Sequence, residues 1–172
     1  MLPLEQIIAR ARKVRLLLID CDGVLTDGSL YLTAIGDQVC EATKVFHIHD
    51  GHGLRLAHAA GLKLGVISGR KSPALVARAT EMQITHLYQG VADKLEVYEQ
   101  IKMLEGLSDE EIAYIGDDLP DRAALSRAGL AVAVLDAVDE IRELAHFITK
   151  KPGGRGAVRE TIELILKAQG KW

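Results

Sequence analysis

Short apolar runs alternate with helical patterns along nearly the whole chain, and this alternation constrains the fold more than any other feature. The runs are Val14 to Ile19, Leu62 to Ile67, Thr85 to Tyr88, Glu111 to Ile115, Leu130 to Val134 and His146 to Thr149. Helices are predicted over Leu4 to Arg12, His49 to Ala60, Pro73 to Met82, Val91 to Leu104, Leu119 to Arg127, Val138 to Ala145 and Ala157 to Ala168. The boundaries carry their own signals. Ser72-Pro73 places a capping residue before a proline at the first helical position. Gly61 and Gly129 stop helices, and Ser108 to Glu111 fits a capping box. Strands joined only through helices must run parallel, and a parallel sheet needs cover on both faces. The expected fold is therefore α/β, a three-layer Rossmann-like arrangement around a central parallel sheet. One stretch breaks the alternation. Ser29 to Thr33 and Gln38 to Phe46 are β-prone and flank Gly36-Asp37, which predicts a β-hairpin inserted over residues 29–45. No stretch of the 172 residues reads as a linker, so one domain over 1–172 is expected, with a glycine-rich segment and closing helix over 151–172.

In a parallel sheet of this kind, ligands bind beyond the carboxyl ends of the strands. The first apolar run leads straight into Asp20-Cys21-Asp22-Gly23-Val24-Leu25-Thr26-Asp27-Gly28. Carboxylates two residues apart on a strand point to the same side. They repel unless a cation stabilises them, and Mg²⁺ prefers such oxygen ligands. Three more polar groups fall at or near predicted strand ends: Ser68-Gly69-Arg70, Lys94, and Gly116-Asp117-Asp118 with Asp121 nearby. Together they could handle phosphate. One carboxylate can attack phosphorus, a second can move a proton, and a third can complete a metal site. A serine hydroxyl, a glycine N–H and a lysine can hold the phosphoryl oxygens.

Each residue alone has a plainer reading. An isolated Asp-x-Asp is commonly a solvated turn, and most lysines lie on the surface. Lys94, however, follows Asp93 at a helix start, where the dipole disfavours positive charge, so a specific partner such as Asp20 is expected. Asp118 reads equally as a cap for the helix from Leu119. Arg70 reads equally as a bidentate partner for a substrate carboxylate or as half of a surface pair. His47, His49 and His52 straddle a strand-to-helix junction and need not converge on a metal. Surface histidines, or polar contacts near the site's rim, are the better expectation for them. Cys21, between the two aspartates, should face away from them as buried filler.

Composition excludes several classes. The formal net charge is −3, aromatic residues make up 4%, and no basic block occurs, which argues against nucleic acid as a partner. No apolar run approaches a membrane span. The two cysteines, Cys21 and Cys40, are too few for a disulfide framework. Met1 to Lys13 carries Glu5, Arg10, Arg12 and Lys13 among its apolar residues and does not read as a signal peptide. A cytoplasmic protein is expected.

In their order and setting, the four motifs resemble those of the haloacid dehalogenase superfamily of phosphatases. By that resemblance Asp20 would be the nucleophile and Asp22 the acid/base. Ser68 would bind phosphate together with Gly69, and Lys94 would be the motif lysine. Mg²⁺ would be held by Asp20, the backbone carbonyl of Asp22, and Asp117, with Asp118 and Asp121 supporting these ligands. Five segments carry a closer likeness: Asp-Gly-Val-Leu-Thr-Asp-Gly, Ile-Ser-Gly-Arg-Lys-Ser, Tyr-Gln-Gly-Val-x-Asp-Lys, Tyr-Ile-Gly-Asp-Asp-Leu-Pro-Asp and Gly-Gly-Arg-Gly-Ala-Val-Arg-Glu. They resemble the 3-deoxy-D-manno-octulosonate 8-phosphate phosphatases, which belong to the subclass without a cap domain. The resemblance implies a phosphorylated acidic sugar as substrate and a homotetramer in which the hairpin helps to form the assembly. It also implies a C-terminal segment able to fold over an active site, with Arg155 as a candidate substrate contact. Cys21 stands where an aliphatic residue is expected. A nine-carbon sialic acid 9-phosphate is the alternative substrate. A non-catalytic partner of a sugar-activating enzyme and a phosphoacceptor receiver domain are the rival classes. The first would have lost motif residues, and the second places its acids on different strands.

Overall fold

The computed structural model describes residues 2–172, apart from the side chains of residue 35 and residues 38–42, so Cys40 lies outside the described side chains. The chain opens with helix α1 (Leu4–Lys13) and strand β1 (Leu16–Ile19). A tight turn over Cys21–Leu25 follows, and then the hairpin of β2 (Tyr31–Ile35) and β3 (Gln38–Thr43). The repeat continues with α2 (Ile48–Ala59), β4 (Lys63–Ser68), α3 (Pro73–Glu81), β5 (His86–Gln89) and α4 (Lys94–Glu105). Then come β6 (Ile112–Gly116), α5 (Arg122–Arg127), β7 (Leu130–Ala133), α6 (Asp139–Leu144), β8 (Phe147–Ile148) and α7 (Ala157–Ala168).

The six strands outside the hairpin form one sheet in the order β5-β4-β1-β6-β7-β8, with every neighbouring pair parallel. The strands whose sequence is apolar throughout take the middle. Leu16, Leu17, Leu18 and Ile19 of β1 are fully buried, as is all of β6. Burying a leucine or isoleucine side chain stabilises by about 1.5–3 kcal/mol relative to leaving it exposed. The mixed sequences of β5 and β8 fall at the edges, where their side chains are partly exposed. Helices α1, α2 and α7 pack together, and α4, α5 and α6 form a second group. In α7, Ala157, Val158, Thr161, Ile162, Ile165 and Leu166 make the buried stripe at helical spacing.

The sheet order positions the site. The chain runs outward from β1 to β4 and β5, then returns to β6, β7 and β8 on β1's other side. The order reverses at β1, so a crevice opens beyond its carboxyl end, between the ends of β4 and β6.

Several element boundaries differ from expectation. Helix α4 starts at Lys94 rather than Val91, because the Asp93 carboxylate caps it by accepting the Leu95 N–H at 2.9 Å. Leu119–Asp121 forms a single 3₁₀ turn ahead of α5 instead of opening an α-helix. Ser72 takes the N-cap position of α3, yet its side chain makes no capping hydrogen bond; its N–H donates to Gln89 Oε1 at 2.7 Å. The capping box of Ser108 and Glu111 does form, around one 3₁₀ turn at Asp109–Glu111. The hairpin lies within the expected residues, with Gly36 in the left-handed conformation of its turn. Leu30, Tyr31, Leu32, Val45 and Ile48, in and around it, expose large apolar side chains.

Candidate active site

Asp20 ends the central strand and is held to its neighbour by its N–H, which donates to the Ile115 carbonyl at 3.1 Å. The chain then turns tightly, closing with a hydrogen bond from Thr26 N–H to the Cys21 carbonyl at 3.0 Å. Cys21 is fully buried. Gly23, at φ +94°, brings this turn against the loop after β6. A Cβ here would lie 2.0 Å from Asp117 Oδ2, so only glycine allows the approach.

Lys94 reaches the same place from the first residue of α4. Its ammonium lies 2.5 Å from Asp20 Oδ1 and 2.7 Å from Asp121 Oδ1. All three side chains are at least nine-tenths buried. Burial favours a neutral lysine, but Asp20 and Asp121 outweigh it and hold the Lys94 pKa above its ordinary value. Asp121 is otherwise occupied. Its Oδ1 accepts from the Tyr114 hydroxyl at 2.7 Å and its Oδ2 from the Asp117 N–H at 3.1 Å. Burial, with Asp121 and Asp20 beside it, pushes the Tyr114 phenol well up, so it stays a donor.

Asp117 completes the group from the loop after β6. Carboxylate oxygens of Asp20, Asp117 and Asp121 lie within 4.8 Å of one another. Burial and the neighbouring acids Asp20 and Asp121 push Asp117 up to about 8. Burial and Asp121, opposed by Lys94, push Asp20 up to about 6. Asp117 Oδ1 is buried with no hydrogen-bond partner among the described residues. A buried, unsatisfied carboxylate oxygen beside a second crowded carboxylate fits a hard divalent cation that takes oxygen ligands. Asp20 and Asp117 have oxygens to offer it, whereas those of Asp121 are committed to Lys94, Tyr114 and backbone.

The other expected residues are placed less centrally. Asp22, about a quarter exposed, ion-pairs with Lys44, which directly follows β3. Ser68 is buried at the end of β4, with its hydroxyl engaged by the backbone of Arg70, accepting from N–H at 3.2 Å and donating to C=O at 3.1 Å. Gly69 and Arg70 are exposed beyond it. Asp118 is exposed and forms a capping box with Asp121. Its carboxylate accepts from the Leu119 N–H at 2.7 Å and caps the 3₁₀ turn. Arg155 is exposed and pairs with Asp27 at 3.1 Å. The glycine-rich segment before it packs on its own chain's turn. Gly154 N–H donates to the Val24 carbonyl at 2.8 Å, and a Cβ at Gly153 would lie 1.7 Å from the Gly23 carbonyl oxygen. The histidines do not converge on a metal. His47 caps α2 by accepting from the His49 N–H, its ring meets that of His49 edge to face, and His52 is exposed.

Three polar residues of this region were not anticipated from sequence: Lys44, Tyr114 and Asp50. Lys44 and Tyr114 carry no local signal, since their partners are far off in sequence or on another element. Asp50, in the first turn of α2, is buried and accepts from the N–H groups of Gly156 at 3.0 Å and Arg159 at 2.7 Å. It thereby caps the start of α7 from across the fold. Burial pushes the Asp50 carboxyl up, and these two amides oppose the shift.

Comparison with known proteins agrees with this geometry. Residues 67–160 match the family described as haloacid dehalogenase-like hydrolase. The chain is 42% identical over 167 residues to the 3-deoxy-D-manno-octulosonate 8-phosphate phosphatase of Yersinia pestis, covering 97% of this chain and 87% of that protein. The enzyme of the same name from Escherichia coli K12 is 41% identical over 96% of this chain and 86% of its own length. Among solved structures, that of the Moraxella catarrhalis 3-deoxy-D-manno-octulosonate 8-phosphate phosphatase, described as a complex with a magnesium ion, a phosphate ion and KDO, superposes with a TM-score of 0.93. It is 39% identical, covering 98% of this chain and 94% of that one. The chain belongs to the haloacid dehalogenase-like hydrolases and, among them, to the family of 3-deoxy-D-manno-octulosonate 8-phosphate phosphatases.

Proposed function

We infer that this protein is a Mg²⁺-dependent phosphoric monoester hydrolase that converts 3-deoxy-D-manno-octulosonate 8-phosphate to KDO and phosphate, a step towards lipopolysaccharide precursors. The observation that carries this reading is the buried Asp20–Lys94 pair beside Asp117, whose Oδ1 has no hydrogen-bond partner among the described residues. The family relatives supply the substrate class.

The buried Asp20–Lys94 pair supports the following chemistry. Lys94 holds Asp20 Oδ1 and leaves Oδ2 to attack phosphorus. The new bond joins Asp20 Oδ2 to phosphorus, and the bond to the sugar C8 oxygen breaks. Asp22 gives that oxygen its proton. Water then attacks the aspartyl-phosphate, Asp22 takes the water's proton, and release of phosphate restores Asp20. The Ser68 hydroxyl and Gly69 N–H bind the phosphate oxygens, and Lys94 neutralises negative charge near the reacting group. When bound, Mg²⁺ offsets charge on the transferring phosphoryl group, held by Asp20, Asp117 and the Asp22 backbone carbonyl. Asp121 keeps Lys94 in place. We assign Arg70 to the sugar carboxylate and Arg155 to substrate contact.

The reading also takes residues 1–172 as one hydrolase domain, with residues 29–45 as a flap and residues 151–172 as a tail. It includes a homotetramer joined through the exposed apolar residues of the hairpin, working in the cytoplasm. The test is phosphate release from eight-carbon and nine-carbon acidic sugar phosphates, with and without Mg²⁺. We expect faster kcat/KM on the eight-carbon ester, no turnover without the metal, and none in Asp20→Asn, which should still fold. Faster turnover of a nine-carbon sialic acid 9-phosphate would reassign the substrate. Normal hydrolysis by Asp20→Asn would remove the nucleophile.

A further inference from the structure

Lys44 is an anomaly for a residue just beyond an exposed hairpin. Its side chain is 3% exposed. A lysine ammonium is taken out of water at a cost of several kcal/mol unless a good partner meets it. Here the partner is Asp22, whose Oδ1 accepts from the Lys44 Nζ. Asp22 itself is 24% exposed, so the pair is closed on the lysine side and open on the other. The backbone at Asp22 (φ −84°, ψ 114°) lies outside the helical region, in a turn that reverses at Gly23.

We propose that Lys44 is a positioning residue for the acid/base Asp22, holding one carboxylate oxygen so that the other faces the leaving-group oxygen. This rests on the reading of Asp22 given above. Lys44 immediately follows β3 (Gln38–Thr43). The placement of the hairpin is therefore transmitted to the proton-transfer group through one side chain, and a shift of residues 29–45 carries the Lys44 ammonium with it. An acid misplaced by 1 Å loses much of its effect. The loss in kcat/KM, which reads the phosphorylation step before the water-activating role of Asp22, falls on esters whose leaving group needs a proton and spares those whose leaving group departs as a stable anion.

The test compares kcat/KM on 3-deoxy-D-manno-octulosonate 8-phosphate and on p-nitrophenyl phosphate for the Mg²⁺-loaded wild type, Lys44→Met, Lys44→Arg and Asp22→Asn. A positioned general acid contributes about 10²–10⁴-fold. We expect Lys44→Met to lose at least about tenfold on the sugar ester and less than about threefold on the aryl ester, with Lys44→Arg recovering part of the loss. Equal losses on the two esters would make Lys44 a phosphate contact or a fold residue and overturn the proposal, and so would no loss on either. Asp22→Asn separates this failure from that of the parent reading. If it loses equally on both esters, Asp22 is not the acid. If it shows the leaving-group difference and Lys44→Met does not, only the role of Lys44 falls. The double variant decides further: adding Lys44→Met to Asp22→Asn should cost nothing more on the sugar ester, and an additional loss of the same size would overturn the proposal. Thermal melting checks that each variant folds, and Lys44→Gln replaces Lys44→Met if the methionine variant does not.

Discussion

At the scale of residues, charge is the controlling quantity. Lys94 sits between Asp20 and Asp121 in a pocket that excludes water. Replacing it with methionine leaves two buried carboxylates without their cation. Breaking a buried pair in this way destabilises by about 3–5 kcal/mol, and losing a preorganised electrostatic group lowers kcat by about 10²–10³-fold. We therefore expect Lys94→Met to melt lower and turn over far more slowly; denaturant unfolding and steady-state assays measure the two effects. The crowded acids also set a pH dependence. Asp20, at about 6, and Asp117, at about 8, lie above the ordinary 3.8. Without metal, the folded state keeps protons that the unfolded chain has released. The stability from these groups is thus present below the unfolded value and lost as pH rises through 6 and then 8. Mg²⁺ needs both groups charged, so its binding must expel protons. On acidification its apparent affinity should weaken by up to about tenfold per pH unit between about 8 and 6 and by up to about a hundredfold per unit below that. Calorimetric titration in buffers of different ionisation heat should record proton release at about pH 7 that fades above about pH 9. A pH-independent affinity would contradict the crowding.

At the scale of elements, the turn after β1 is shaped by a segment remote in sequence. Gly153 and Gly154 lie against Gly23, Val24 and Asp27, and the Gly153 N–H also donates to Asp136 Oδ1 at 2.8 Å. Alanine at 153 would drive its Cβ into the Gly23 carbonyl and displace the turn that brings Gly23 against the Asp117 carboxylate. Gly153→Ala should lower kcat by an order of magnitude or more, about the effect expected of a 1 Å misplacement. Gly61→Ala meets no atom within 4 Å and carries only the strain of its positive φ, so it should keep kcat. Steady-state assays of the two variants check the contrast. The elements were legible in sequence where one period dominated. The unbroken apolar run of β1 and the stripe of α7 declared themselves. The start of α4 did not, because Val91 continues an apolar pattern while the Asp93 cap decides the first helical residue.

At the scale of the whole molecule, the reversal of strand order at β1 brings Asp20, Lys94, Asp117 and Asp121 together from separate motifs. The exposed side chains of Leu30, Tyr31, Leu32, Val45 and Ile48 leave apolar surface around a two-stranded sheet. A lone hairpin is marginal in water, which supports the proposed tetramer. Light scattering should give the mass of four chains, and a monomer would contradict that assembly.

By itself the sequence determined the α/β class, the parallel sheet, the hairpin and the identities of the groups at the strand ends. Apolar periodicity and turn residues are local properties, and a local reading recovers them. The crowding expected of Asp20 with Asp22 falls instead on Asp117 and Asp121, because Asp22 lies in the turn beyond the strand and pairs with Lys44. Only the tertiary structure decided which charge meets which. It seats Lys94 on both Asp20 and Asp121, leaves Asp117 Oδ1 without a partner among the described residues, turns Asp118 into a cap, packs Gly153 on Gly23 and buries Lys44 against Asp22. These pairings join residues up to 130 positions apart. They exist because folding brings distant strand ends and loops into a space from which water is excluded, where each buried charge must find its partner.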